Sequence, residues 1–364
     1  MGMKRIVCTV TNDLNFDQRM SRICTSLTNA GYDVLLIGRR KRSSPRVEEK
    51  SFSQKRIFCF FEKGKLFYAE YSIRLFFYLM FTRMDLICAI DLDTILPCLF
   101  ISKLRHKRRV YDAHELFCEM EEIVRRPAIY KMWKGIERFA VPQFKHGYTI
   151  GECYAEEFKR MYNVSYQIVR NATVLTPFVA SHPTERYILY QGAVNQGRSF
   201  ETLIPAMKKV NATLIICGEG NFYTEAQELV NQYQLTDKII FKGYIPPVKL
   251  SAFTRDAYIG ITLFTNEGKS NYLSMANRFF DYMHACVPQL CVAYPEYSKV
   301  NQQFEIAVLI QETTEEAIAN ALNELLDNKE HHQLLTKNNL FAREVYCWQK
   351  QEITLLNFYS SLLG

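Results

Sequence analysis

The chain has 364 residues, 48% of them hydrophobic and 23% charged. That length predicts about two domains and a core large enough to stand without disulfides or structural metals. Whole-chain disorder, collagen and coiled coil are excluded by the composition. The 45 basic and 38 acidic residues leave a net charge of +7, which permits contact with phosphates or anionic lipid without demanding either.

The N-terminal segment Lys4-Arg5-Ile6-Val7 runs straight into a strand pattern and shows no secretory signal. Arg5–Val10 reads as a buried strand. Residues 17–30 read as a helix with Met20, Ile23, Cys24 and Leu27 on one face, closed by Gly31. Strands are expected at 32–37, 86–90, 109–111 and 148–150, and a helix at 94–104 with Asp93 as its N-cap. This strand–helix alternation predicts parallel, doubly wound sheets. The stretch Leu75–Phe81 lies between Arg74 and Arg83 and falls short of the ~20 apolar residues of a membrane span.

Pro177–Glu185 carries two prolines and polar residues and reads as an interdomain linker. A second series follows: strands at 187–190, 213–217, 239–241 and 258–263, and helices at 199–210, 225–232 and 315–326. Two Rossmann-like halves of this kind place a ligand in the cleft between them, outside the carboxyl ends of the strands.

The cysteines number eleven, none in a C-x-x-C pair, and several sit in apolar runs. They read as buried thiols of a reduced, cytoplasmic protein. Two basic clusters, Arg39–Arg42 and Lys103–Arg109, flank an aromatic segment at 58–81. That segment reads either as solvated loops with a core helix or as a surface meeting anionic lipid. No helix-turn-helix, finger or RNP pattern accompanies the charge, so nucleic acid is not the expected partner.

Three features carry chemistry. Gly192 opens a loop after a strand, and Arg198 stands at the start of the next helix, where a cation opposes the macrodipole and points either to a nearby anion or to a surface ion pair. Cys217-Gly218-Glu219-Gly220 is a second strand-to-helix turn whose glycines suit close backbone approach. It lacks the third glycine of a dinucleotide fingerprint, which counts against a nicotinamide oxidoreductase. The helix beginning near Ala276 brings Arg278 and Asp281 to one face, a pairing suited to a diphosphate and a ribose, with a surface ion pair as the simpler reading.

In this order the features resemble GT-B glycosyltransferases of the family 4, or group 1, kind. The likeness continues in Phe241-Lys242-Gly243-Tyr244-Ile245-Pro246, in Asp85–Thr94, in Tyr111-Asp112-Ala113-His114-Glu115, and at the start in Thr11-Asn12-Asp13 and Asp17–Met20. It spans nearly the whole chain. The resemblance implies an α/β fold of two Rossmann-like doubly wound domains facing across a cleft. An acceptor domain would comprise 1–176 and the returning helix 341–364; a linker, 177–186; and a donor domain, 187–340.

The activity implied is retaining transfer of a sugar from a nucleotide-diphosphate donor to a hydroxyl of a saccharide or lipid-linked saccharide, in surface-glycan assembly at the inner face of the membrane. By the same resemblance Arg198 and Arg278 neutralise the diphosphate, Asp281 accepts from the ribose, and His114 faces the donor sugar or acceptor. Gly192, Gly218, Gly220 and Asn277 complete the donor site. No cofactor and no metal are expected; Asp91-Leu92-Asp93 looks like a D-x-D metal site, but capping explains Asp93 more simply.

The chain departs from the family pattern at Leu273 and Asp281, where the pattern has two glutamates, at Ala193, where it has an arginine, and at Cys286, where it has glycine. These departures motivate the alternative of a non-catalytic relative serving as partner or scaffold.

Overall fold

The computed structural model describes residues 2–179 and 186–364. It divides into two compact units. The first is Met1–Asn171 with Gln351–Gly364, and the second is Ala172–Lys350.

The first unit is a seven-stranded sheet. Its strands are β1 (Arg5–Thr9), β2 (Asp33–Arg40), β3 (Ser53–Phe58), β4 (Leu86–Ile90), β5 (Arg108–Ala113), β6 (Gly147–Thr149) and β7 (Gln167–Ile168). They lie in the order β3-β2-β1-β4-β5-β6-β7, every pair parallel. The strands β1 and β4 are almost wholly apolar because helices cover both faces of the sheet.

The helix Gln18–Asn29 starts where Asp17 accepts from the Met20 N–H at 2.9 Å, and Gly31 beyond its end sits at φ +90°. Its Arg19 is buried against the fully buried Asp112 at the end of β5, through contacts of 2.8 and 3.3 Å. Breaking such a pair leaves an uncompensated buried charge, so it ties the helix firmly to the sheet.

The second unit repeats the plan with six strands: β8 (Tyr187–Gln191), β9 (Thr213–Cys217), β10 (Ile239–Gly243), β11 (Ile259–Thr262), β12 (Gln289–Val292) and β13 (Ala307–Ile310). Their order is β10-β9-β8-β11-β12-β13, again all parallel. A large core in this unit holds Tyr190, Phe200, Phe279 and Tyr297 fully buried, and a smaller cluster forms around Leu189, Cys217 and Tyr282. In each sheet the direction of winding reverses at one place: between β1 and β4, and between β8 and β11. Ligands of open α/β sheets bind outside the carboxyl ends of the strands at such points.

Three expectations shift. The chain returns to the first unit at Gln351 rather than at 341. The reason is that the helix Lys329–Val345 keeps Leu335 and Ala342 in the second unit's core. The helix expected over 199–210 is broken: it runs Phe200–Ala206 and tightens into a single turn at Met207–Lys209, with Pro205 unable to donate to the ladder. Asp93 does not occupy the cap of the next helix, which runs Ile95–Leu104 with Thr94 at its N-cap. Its carboxylate instead accepts from the Thr11 hydroxyl, joining the loops that follow β4 and β1. Of the expected linker, residues 180–185 lie outside the described residues.

All eleven cysteines are free and buried, as the apolar runs predict. Among the described residues no helix is long and apolar enough to cross a membrane.

Candidate functional site

In the second unit the site grows from the ends of β8 and β11. The strand β8 delivers Gln191 and then turns at Gly192, whose φ is +120°. The helix Asn277–Ala285 points Arg278 back at that turn. Its guanidinium donates to the Gln191 carbonyl at 3.4 Å, to the Leu263 carbonyl at 3.3 Å and to the Tyr190 hydroxyl at 3.1 Å. Arg278 thus bridges the two strands that flank the reversal point.

The Arg278 side chain is buried, its Nε has no hydrogen-bond partner, and a Cβ on Gly192 would come 3.3 Å from its Nη1. Arg198 arrives from the other side and donates to the Asn271 amide oxygen at 3.0 Å. Both guanidinium groups stand over the ring of Phe264, at 4.5 Å for Arg198 and 4.7 Å for Arg278. An aromatic face stabilises cations without neutralising them. The two guanidinium groups thus stand together on one ring, with Arg278 against Gly192.

Asp281 lies on the same helix, but its carboxylate takes another direction. One oxygen accepts from the Thr173 hydroxyl at 2.7 Å and the other from the Gln191 side chain at 3.0 Å. Arg278 and Asp281 therefore both meet at Gln191, one at its backbone and one at its side chain. The Thr254 hydroxyl holds the remaining amide oxygen of Gln191 at 2.6 Å. Asn277 sits exposed at the first position of the helix, whose cap residue Ala276 supplies no side-chain oxygen.

The paired glycines after β9 do different work from Gly192. A Cβ on Gly218 would overlap the Gly192 carbonyl, and one on Gly220 would overlap Val194 and Asn195. Val194 donates to the Glu219 carbonyl at 3.1 Å, and Phe222 donates back to Val194 at 2.9 Å. Gly218 and Gly220 thus dock the two loops against each other and hold Gly192 in place. Gly243 extends this support, its carbonyl accepting from Gly218 at 2.8 Å.

In the first unit His114 follows β5. Its Nε2 lies 2.8 Å from the Asp91 carboxylate, and its backbone N–H donates to the other carboxylate oxygen at 3.2 Å. Asp91 adopts φ +53°, ψ 177°, a region that only glycine visits readily. Burial, with Glu115, Asp93 and Asp112 close by, raises Asp91 well above the usual carboxylate range, and burial lowers His114. Both shifts disfavour charge on the pair. Burial also pushes Asp93 up to about 6. The two carboxylates of Asp91-Leu92-Asp93 are thus engaged by His114 and Thr11. Among the described residues no group of three His, Cys, Asp or Glu is arranged to hold a metal ion.

Each unit therefore holds part of the predicted set: in one, Gly192, Arg278 and Asp281 around Gln191, with Arg198 meeting Arg278 at the Phe264 ring; in the other, His114. Sequence reasoning passed over Phe264, Gln191 and Asp91. Nothing in their residue types marks the first two. Asp91 lies in the Asp91-Leu92-Asp93 motif, whose spacing suggests a metal ligand and gives no sign of His114.

Two Rossmann-like parallel sheets, each with a site residue cluster at its carboxyl edge, define a GT-B protein. Residues 176–340, within the second unit, match the family described as glycosyl transferases group 1. That match bears out the resemblance to GT-B glycosyltransferases of the group 1 kind. No curated protein matches the sequence.

Among solved structures, sucrose-phosphate synthase from Thermosynechococcus elongatus superposes with a TM-score of 0.82 at 17% identity, covering 99% of each chain. HepE from Anabaena, in complex with UDP and glucose, gives 0.77 at 10% identity, over 99% of this chain and 100% of that one. WaaG, described as a glycosyltransferase involved in lipopolysaccharide biosynthesis, gives 0.72 at 14% identity, over 96% and 98%. At these identities the likeness establishes the fold.

Proposed function

We propose that the protein is a retaining glycosyltransferase of the family 4 kind, moving a sugar from a nucleotide-diphosphate donor to a hydroxyl of a saccharide or lipid-linked saccharide. One observation carries the reading: two arginines share the Phe264 ring beside Gly192. Fixed cations where a diphosphate leaves stabilise the charge that develops on it, and no reorganisation is needed at the moment of reaction. HepE, which has this fold, is described with UDP and glucose bound.

In this reading Arg198 and Arg278 take the role of charge neutralisation, so no metal is required. Asp281 accepts from a ribose hydroxyl. Asn277 and Gly192 line the diphosphate. The leaving phosphate assists attack by the acceptor hydroxyl on the same face, so no strong base is demanded of the protein. His114 orients a hydroxyl of the donor sugar or acceptor. The first unit is the acceptor domain and the second the donor domain.

A membrane-held acceptor is supported by the helix Gly64–Phe81. It buries Phe67, Tyr71, Leu75 and Leu79, yet its outer face shows Leu66, Ile73, Phe77 and Phe81, the last 87% exposed. A helix apolar on both faces fits an interfacial position on the cytoplasmic leaflet.

The test is thermal shift against UDP, GDP, ADP, CMP, TDP and NAD. A ligand at 100 times its Kd adds about 2.7 kcal/mol of apparent stability. A shift with one diphosphate supports the donor site. No shift with any diphosphate favours the non-catalytic alternative, for which Leu273 and Ala193 are the motive.

A further inference from the structure

We infer that the acceptor is an anionic saccharide, recognised by the loop that follows β2. The inference rests on the transferase reading and extends it to the substrate's chemistry.

In an all-parallel sheet the loops after the strands share one edge, and ligands bind there. The two basic clusters of the first unit lie at opposite edges. Lys103–Arg109 leads into β5, on the edge away from the site. Its cations are largely spent on the protein: Lys103 binds the Gln143 side chain, Arg105 the Leu79 carbonyl, Arg108 the Leu362 carbonyl and Arg109 the Gln143 carbonyl. The other cluster ends β2 and continues into the loop on the ligand edge, the same edge that carries Asp91 and His114.

That loop is fastened by its backbone and its small side chains. Lys41 N–H donates to the Ser44 hydroxyl at 2.8 Å, and Ser44 in turn binds Asp13 in the loop after β1. The Arg42 N–H donates to Glu62 at 3.0 Å, and Asn15 holds the Arg46 carbonyl at 2.8 Å. Arg39 is pinned over the Phe67 ring at 4.0 Å.

The side chains of Arg40, Lys41, Arg42 and Arg46, by contrast, are exposed and have no partner among the described residues. Between 39 and 47 there is no acidic residue. A braced loop that leaves four cations unpaired at the ligand edge is complementary to carboxylate or phosphate groups along a saccharide. Arginine forks add bidentate geometry to the charge.

The experiment is calorimetric binding of a heparin-derived hexasaccharide, with maltohexaose as the neutral control. The full chain is compared with Arg40→Gln/Lys41→Gln/Arg42→Gln and with Lys103→Gln/Lys107→Gln/Arg108→Gln. The expected result is binding of the anionic hexasaccharide alone, weakened about tenfold or more by the loop variant and within about twofold of wild type in the other. Equal losses in both variants, an unaffected loop variant, or no binding by wild type would each overturn the inference.

Cosedimentation with phosphatidylglycerol vesicles separates the other source of anions. If the loop variant loses vesicles while keeping the hexasaccharide, the cations serve a lipid surface and the inference falls. Nucleotide thermal shift runs alongside. If wild type shows no shift with any diphosphate, the transferase reading fails, whatever the hexasaccharide arm returns.

Discussion

Arg198 and Arg278 reach the same ring, that of Phe264, from two different elements, 4.5 and 4.7 Å from its centroid. Like charges brought this close repel, and the ring face offsets part of that cost. Phe264 stands two residues beyond the end of β11, so that strand sets where the two cations meet.

Replacing the ring is the most direct check. Phe264→Leu keeps an apolar core residue but removes the quadrupole, at about 0.5–2 kcal/mol for each cation. We expect nucleotide affinity to fall about tenfold by calorimetry while circular dichroism stays that of wild type. Unchanged affinity would mean that the ring only packs.

Arg278 serves the architecture and the proposed ligand together. Arg278→Ala leaves the Gln191 and Leu263 carbonyls and the Tyr190 hydroxyl without their donor, at about 1–3 kcal/mol of stability. Transfer should fall by about 10² or more, the cost of removing a fixed donor from developing charge. Arg278→Lys should recover more stability than turnover, because an ammonium cannot span three acceptors on two strands.

Gly218 is predicted to tolerate nothing larger. Its φ of +150° and the Gly192 carbonyl against it make Gly218→Ala a backbone clash rather than a side-chain one. Urea unfolding should show a loss of about 3 kcal/mol or more. Gly192→Ala, facing only the flexible Arg278 side chain at 3.3 Å, should cost less stability and more nucleotide affinity.

His284 gives the second unit an acid-sensitive point. It is buried, its Nε2 lies 3.0 Å from the Tyr346 carbonyl, and burial lowers its pKa to about 4. The unfolded chain takes up this proton near pH 6.5 and the folded one only near 4. Between these values the unfolded state binds more protons, so stability rises with pH and is lost on acidification. The effect is on the order of 2–3 kcal/mol across the window. His284→Gln keeps a donor for Tyr346 without titrating. The wild-type minus variant difference in unfolding free energy should slope between about pH 4 and 6.5 and lie flat above it.

Much of this was legible in the sequence because local signals and tertiary demands agreed. The apolar runs at β4 and β9 appear in the structure at their expected bounds. Asp17 and Gly31 bracket their helix as cap chemistry requires. The helix that carries Arg278 ends on Cys286 at φ +57°, in the left-handed conformation that the glycine of the family pattern adopts more easily.

What stayed hidden was contact between residues far apart in the chain. Phe264 looks like any core aromatic until two arginines converge on it. Gln191 gains its meaning only when Asp281, Thr254 and Arg278 arrive. β3 and the two-residue β7 carry too few apolar residues to announce themselves, and pairing with an already buried neighbour makes them strands. The Asp91 carboxylate was visible, but its partner lay 23 positions away.

The last helix, Trp348–Leu363, begins in one unit and ends in the other. Within the first unit its Tyr359 is fully buried, its hydroxyl 3.3 Å from that of Tyr148, and Leu355 and Leu363 are buried beside it. During synthesis, then, the ribosome must finish every strand of the second unit before the residues that seal the first have been added. Until then the first unit lacks the side chains that cover Tyr148, and apolar surface exposed in this way favours aggregation.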